Sequence, residues 1–314
     1  MNTTPGGLSR GDALRAMSVV LIWGLNFVAM KVALHTLNPM LLGALRFGAA
    51  AFPLLLLISR PALPWRYLAG YGLAQGLGQF GFLFLGLQLG MTAGMASVVM
   101  QTQAFFTLLL AGPLLGEKAG RNQWMGLVVA LAGLLVIATA HGEGPGQMTL
   151  IGFILTVSAA FMWACSNVVV RFAVRKTPGY DPFAFIVWSS IFPVLPFAML
   201  ALGMDGVSSV VHQLASLDVP VVLAVLFLAW FATLLAYTLW TRLLQRHPAG
   251  RIVPFSLLVP VVGLAAAAAC FGELPTPMQW VGTAGVLLGL LINQGLASRV
   301  MTWILAPSKA RGLL

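Results

Sequence analysis

Amides and aromatic rings, rather than acids, are the groups this chain places inside its apolar stretches. Gln75 and Gln79 stand four residues apart, Gln101 and Gln103 flank Thr102, and Asn26 follows Trp23 by three. Trp163 and Asn167 repeat the four-residue spacing, and Tyr237 and Ser256 add a phenol and a hydroxyl. On a helix, residues three or four apart share one face. An amide side chain donates to a carboxylate and accepts from an ammonium. Indole and phenol rings attract a cation over their faces or form an apolar wall. Such groups suit recognition of a small polar molecule. The competing role is structural, because Gln, Asn, Ser and Thr also tie one membrane helix to another. Hydrolytic chemistry would need a metal cluster, paired carboxylates or a nucleophile beside a base. The chain has no HExxH and no Asp pair in an apolar run, and His35, His141, His212 and His247 fall in predicted loops. An intramembrane enzyme is therefore disfavoured, and neither a metal nor a cofactor is implied.

The elements that must position these residues are membrane helices. The sequence is 60% hydrophobic and 8% charged, against about 25% charged residues in a soluble domain. Cys165 and Cys270 both sit in apolar runs, which gives no disulfide framework. A spanning helix needs about 20 apolar residues. Ten stretches qualify: 14–33, 41–59, 67–89, 92–115, 122–140, 150–172, 183–202, 219–241, 252–271 and 277–297. The expected fold class is an all-α polytopic membrane protein with short connections, which leave little surface for a receptor or scaffold. The first apolar run has no cleavage site, so no signal peptide is expected. Placing both termini in the cytoplasm puts 15 of the 17 Lys and Arg residues inside, and the outer loops then hold Glu143, Asp205, Asp218 and Glu273. That asymmetry predicts an N-in, C-in topology. The net charge of +10 is thus a topology signal, not a nucleic-acid surface.

The chain also repeats itself. Gly116-Glu117, Gln123-Trp124, Gly126 and Gly133-Leu134-Leu135 recur 156 positions later as Gly272-Glu273, Gln279-Trp280, Gly282 and Gly289-Leu290-Leu291. Trp23, Val28, Lys31 and Ala33 recur 140 positions later as Trp163, Val168, Arg171 and Ala173. Two halves are expected, 12–140 and 150–297, followed by a cytoplasmic tail, 298–314. Five spans per half is an odd number, so the halves enter the bilayer with opposite orientation. Inverted repeats of this kind place a substrate site near the midplane and work by alternating access.

Several motifs carry a resemblance to a known family. These are Trp23-Gly24-Leu25-Asn26-Phe27 leading to Lys31, Leu45-Arg46-Phe47, Gln101 to Thr107, Gly116-Glu117, Trp163 to Asn167, and Ser256 to Leu264. The chain resembles the EamA-type transporters of the drug/metabolite transporter superfamily over about residues 12 to 297. It is most similar to members that export amino acids and their metabolites across the bacterial inner membrane. The resemblance implies ten helices in two inverted EamA repeats and efflux of amino-acid substrates. Trp23, Asn26, Gln75, Gln79, Gln101, Gln103, Trp163, Asn167, Tyr237 and Ser256 are then the candidate substrate-binding residues. A multidrug exporter of the same superfamily is the alternative. A cation exporter, however, would be expected to place a carboxylate at mid-depth, and none is present there.

Lys31 and Arg46 are the two cations outside the cytoplasmic tally, and both fall at the predicted outer ends of their spans. They either snorkel to the interface or form an outer gate with Glu273. Pro254 and Pro260 in the ninth span each remove a backbone donor. They mark either a packed kink or a hinge. With no mid-span acid or histidine to carry protons, facilitated efflux is expected. Ten helices can enclose a path in one chain, so a monomer in the lipid bilayer is expected, and nothing forbids a dimer.

Overall fold

A computed structural model describes residues 8–140, 148–247 and 249–295. The expected tail 298–314, with its three basic residues, and the connection around Gly142 to Gly146 lie outside the described residues, as does His141. The regular elements among the described residues are all helical. The main segments are α1 (Arg10–Ala33), α2 (Pro39–Leu57), α3 (65–88), α4 (Ala93–Leu115), α5 (Arg121–Thr139), α6 (Leu150–Lys176), α7 (Pro182–Ala215), α8 (Val219–Leu244), α9 (Val253–Phe271) and α10 (Pro277–Asn293). Among the described residues, eight are long and apolar enough to cross a membrane, and α10 is a shorter apolar helix of 17 residues. The exterior is correspondingly apolar. Leu56 is 81% exposed, and Leu135 and Leu195 are each 67% exposed. Patches of this kind suit lipid, not water.

Local chemistry sets the helix ends. Asn38, Thr92, Thr149, Asp181, Asp218 and Thr276 cap N-termini by accepting a backbone N–H of the first turn. Pro39, Pro182 and Pro277 follow such caps, where a missing N–H costs nothing. The duplicated Gly116 and Gly272 close α4 and α9 with φ of 70° and 65°. Only glycine adopts that left-handed conformation without strain. Each is followed by a glutamate whose N–H reaches back into the helix, Glu117 to Ala111 and Glu273 to Ala267.

The duplication is visible in the packing. α5 and α10 lie against each other through glycines, with Gly126 facing the Gly289 carbonyl and Gly133 facing the Gly282 carbonyl. A Cβ at any of the four would sit 2.5–2.7 Å from the neighbouring backbone or side chain. Gly126 pairs with Gly282 in the repeat, and Gly133 with Gly289. Each therefore meets the other's counterpart, which is how a two-fold relation looks in a contact. The pairing also makes the two helices antiparallel, so this pair of counterparts points in opposite directions.

Three elements differ from the sequence expectation. α3 and α8 each contain nine residues of wider π-helical turn, Gly72–Phe80 and Phe227–Leu235. Such turns occur often at functional sites. α7 runs on past 202 to Ala215, broken at Gly206 (φ 77°). His212 consequently lies in a helix rather than a loop. The break lets Asp205 and Gln213 bond Asn38 at the start of α2, with Asn38 Nδ2 donating to Asp205 at 2.8 Å and Asn38 N to Gln213 at 2.7 Å. Pro254 and Pro260 do not interrupt a helix. Each stands at the start of a helical segment, Pro254 in a 3₁₀ stretch (Val253–Leu258) and Pro260 in the α-helix that continues it.

Candidate substrate cavity

α1, α2, α3, α4, α6, α8 and α9, with the start of α7, surround one central cavity of about 280 Å³. All ten candidate binding residues line it: Trp23 and Asn26 from α1, Gln75 and Gln79 from α3, Gln101 and Gln103 from α4, Trp163 and Asn167 from α6, Tyr237 from α8, and Ser256 from α9. Residues of both π-helical turns reach its lining, Gln75, Gln79 and Phe80 from α3 and Ala232 from α8. Tyr237 lines it from the regular α-helix that follows the α8 turn. The lining contains no Asp, Glu or His among the described residues.

Hydrogen bonding divides the polar lining into two groups. Some residues fasten helices together. Gln75 Nε2 donates to Tyr237 OH at 2.6 Å, and Ser166 donates to the Gln75 side-chain oxygen. Asn167 Nδ2 donates to Gln103 Oε1 at 2.8 Å and to Thr107 Oγ1 at 3.1 Å. Trp23 Nε1 donates to the Ala232 carbonyl at 3.3 Å, and Gln101 Nε2 to the Ser256 carbonyl at 3.4 Å. Others carry buried atoms with no partner among the described residues. These are Asn26 Oδ1, Gln79 Oε1 and Arg46 Nη1. The aromatic wall is continuous, because Trp23 meets Trp163, Tyr237 and Trp240 at ring-centroid distances of 6.4, 5.1 and 5.4 Å.

Arg46 is the main departure from the sequence reading. It neither snorkels nor joins Glu273 at a gate. It is 1% exposed and lines the cavity. Its Nε donates to Thr233 Oγ1 at 3.1 Å, and its guanidinium lies 3.8 Å from the centroid of Phe80. Arg46 stands seven residues into α2, about 10 Å along the axis, and its side chain turns inward. The sequence did contain a signal: an arginine in an apolar span that topology does not need points to function by default. Sequence reasoning also missed Tyr71 and Tyr180, which complete the wall. Tyr180 lies in the α6–α7 connection, and burial raises its phenol pKa to about 12.

Lys31 and Glu273 meet as an ion pair, away from the cavity lining. The Glu273 side chain is 6% exposed, and its Oε2 also accepts the Gly94 N–H at 3.3 Å. Their repeat counterparts pair at the opposite end of the bundle, where Glu117 meets Arg171 and Arg175. There the glutamate side chain is 45% exposed. The cavity lining extends toward this second end, to Tyr180, Leu244 and Val253.

The arrangement is a polar, aromatic-walled chamber lined by residues of both halves of the chain. It has the parts of a carrier for a small polar molecule. The model of the EamA-like transporter family matches residues 12–139 and 150–294. A protein of Salmonella typhimurium named as a probable amino-acid metabolite efflux pump is 43% identical over 91% of this chain and 95% of its own. Its namesake in Escherichia coli K12 is 40% identical over the same shares. A probable terminal-alkyne amino-acid exporter of Streptantibioticus cattleyicolor is 25% identical over 88% of this chain and 91% of its own. A solved crystal structure, 19% identical, aligns over 92% of this chain and 99% of its own with a TM-score of 0.57, which is a likeness of fold. With two matched repeats filling most of its length, this chain belongs to the EamA-like transporter family.

Proposed function

We propose that this protein exports amino acids and related metabolites across the bacterial inner membrane by alternating access. The observation that carries this reading is the cavity itself. It combines amide side chains, an aromatic wall and one buried guanidinium, with no acid lining it among the described residues. A volume of about 280 Å³ lies just under the 300–1,000 Å³ range of drug-sized pockets, which suits a small metabolite. A multidrug exporter for cationic compounds is less well supported, since a cationic substrate would meet Arg46 with no balancing carboxylate. The names of the enteric relatives point the same way.

In this reading ten spans cross the bilayer, the termini are cytoplasmic, and the repeats comprise 12–140 and 150–297. Lys31, Glu273 and the Gly94 amide then close the outer end. The cavity opens toward the cytoplasm, where Glu117 is half exposed. The repeat assigns Glu117 the matching role in the outward-facing state, with Gly250 standing where Gly94 stands. The joint between Pro254 and Pro260 is the hinge on which α9 changes tilt. Transport is facilitative, driven by the substrate gradient, in a monomer.

The test is counterflow in proteoliposomes without an ion gradient. Vesicles are preloaded with unlabelled threonine, methionine, phenylalanine, cysteine or O-acetylserine, and the matching tracer is added outside. Uptake of at least one tracer, lost in Trp163→Ala, is expected. Exchange of a cationic dye with no amino-acid exchange would move the protein to the multidrug branch.

A further inference from the structure

Three buried, unpartnered atoms belong to residues that line the cavity, and their chemistry is complementary. Arg46 Nη1 is a cationic donor, whereas Asn26 Oδ1 and Gln79 Oε1 are neutral acceptors. Arg46 is 1% exposed, Gln79 3% and Asn26 7%, and they arise from three different helices, α2, α3 and α1. All three line the same chamber. A buried guanidinium without a carboxylate partner is costly, because its charge has been taken out of water. Thr233 satisfies Nε, and the faces of Phe80 and Phe47 offset part of the charge. None of these supplies an anion. The nearby amides do not compete for the guanidinium at Gln75, whose oxygen is taken by Ser166.

We propose that these atoms form a zwitterion clamp, in which Arg46 binds the substrate's α-carboxylate while Asn26 Oδ1 and Gln79 Oε1 accept its α-ammonium. The carboxylate completes the charge pair that the protein leaves open. The ammonium brings the N–H donors that the two amide oxygens lack, and Trp23, one turn before Asn26 on α1, lines the same chamber for its residual charge. Side-chain identity is then read only loosely, by the aromatic and amide remainder of the chamber. The clamp therefore specifies a free α-amino acid, not an amine, a monocarboxylate or a peptide-capped derivative. This assignment rests on the amino-acid reading above and names how that substrate is held.

Competition in the same counterflow assay tests it on the unaltered protein. For every amino acid of the panel that exchanges, its primary amide and its 2-hydroxy-acid counterpart are offered as competitors. The amide keeps the ammonium and loses the carboxylate, and the hydroxy acid does the reverse. Both are expected to compete at least 30-fold more weakly than the amino acid. In Arg46→Gln the preference for the acid over its amide should collapse to less than 3-fold, with partial retention in Arg46→Lys. In Gln79→Met that preference should persist while the preference for the amino acid over its hydroxy acid shrinks. An amide that competes equally overturns the role of Arg46, and an equally good hydroxy acid overturns the roles of Asn26 and Gln79. In both cases amino-acid export itself still stands. If no amino acid exchanges while a cationic dye does, both the clamp and the amino-acid reading fall. Should Arg46→Gln not fold, competition on the wild-type protein decides alone.

Discussion

Neutralising Glu273 should tilt the protein toward its outward-facing state, by an amount the structure bounds. In Glu273→Gln the Lys31 ion pair is lost, and the Gly94 N–H loses a charged acceptor. A hydrogen bond to a charged group contributes about 1.5–3 kcal/mol. The Lys31 side chain is 34% exposed, so water recovers part of that loss, and an exposed pair contributes only about 0.2–1 kcal/mol. An intermediate value of about 1–2.5 kcal/mol corresponds to a shift of roughly 5- to 60-fold in the ratio of the two states. The assay uses Met100→Cys, a cavity-lining position, with Cys165 and Cys270 changed to Ser. An impermeant maleimide is applied to the outer face of right-side-out vesicles. Glu273→Gln should raise the labelling rate about 5- to 60-fold, within the population shift just derived. Glu117→Gln should lower it, because the repeat gives Glu117 the sealing role in the opposite state. Unchanged labelling in a folded Glu273→Gln protein, or an equal rise in Glu117→Gln, would refute the gate.

Other perturbations test the remaining parts. Gly133→Val forces a side chain against the Gly282 carbonyl, which a Cβ would approach to 2.6 Å. Overpacking of this kind costs about 1–3 kcal/mol, so thermal melting in detergent should fall while the substrate preference of folded protein stays the same. Thr233→Val keeps the shape but removes the acceptor of Arg46 Nε. An orphaned buried donor costs about 1–3 kcal/mol, so both melting temperature and substrate affinity should drop. Finally, no Asp, Glu or His lines the cavity among the described residues. Changing the inner pH from about 6 to 8 should accordingly leave the final accumulation ratio in vesicles unchanged within about 2-fold, since a histidine, or a carboxylate raised by burial, would be needed to supply a titration in that window. A ratio that follows the pH gradient would establish proton coupling and overturn the facilitative mechanism.

Much of the architecture was legible because lipid imposes a strong local rule. Long apolar runs must be helices when no water can satisfy their backbone, and the repeated Gly116-Glu117 and Gly272-Glu273 marked two ends that the structure finds built alike. The ten amide, aromatic and hydroxyl candidates also gathered at one chamber, since polar groups in such runs have few other places to go. What the sequence could not supply was the rotation of each helix about its axis. Lipid and protein interior are equally apolar, so α2 carries no polar face to show that Arg46 turns inward instead of outward along the interface. Nor could spacing separate Gln75 and Asn167, which are bonded across helices, from Asn26 and Gln79, whose oxygens are left free. That distinction depends on distances between residues far apart in the chain. The apolar runs determined which segments are long enough to lie in the membrane, and only the packing of α1, α2 and α3 around one cavity decided which of their buried polar atoms are left without a protein partner.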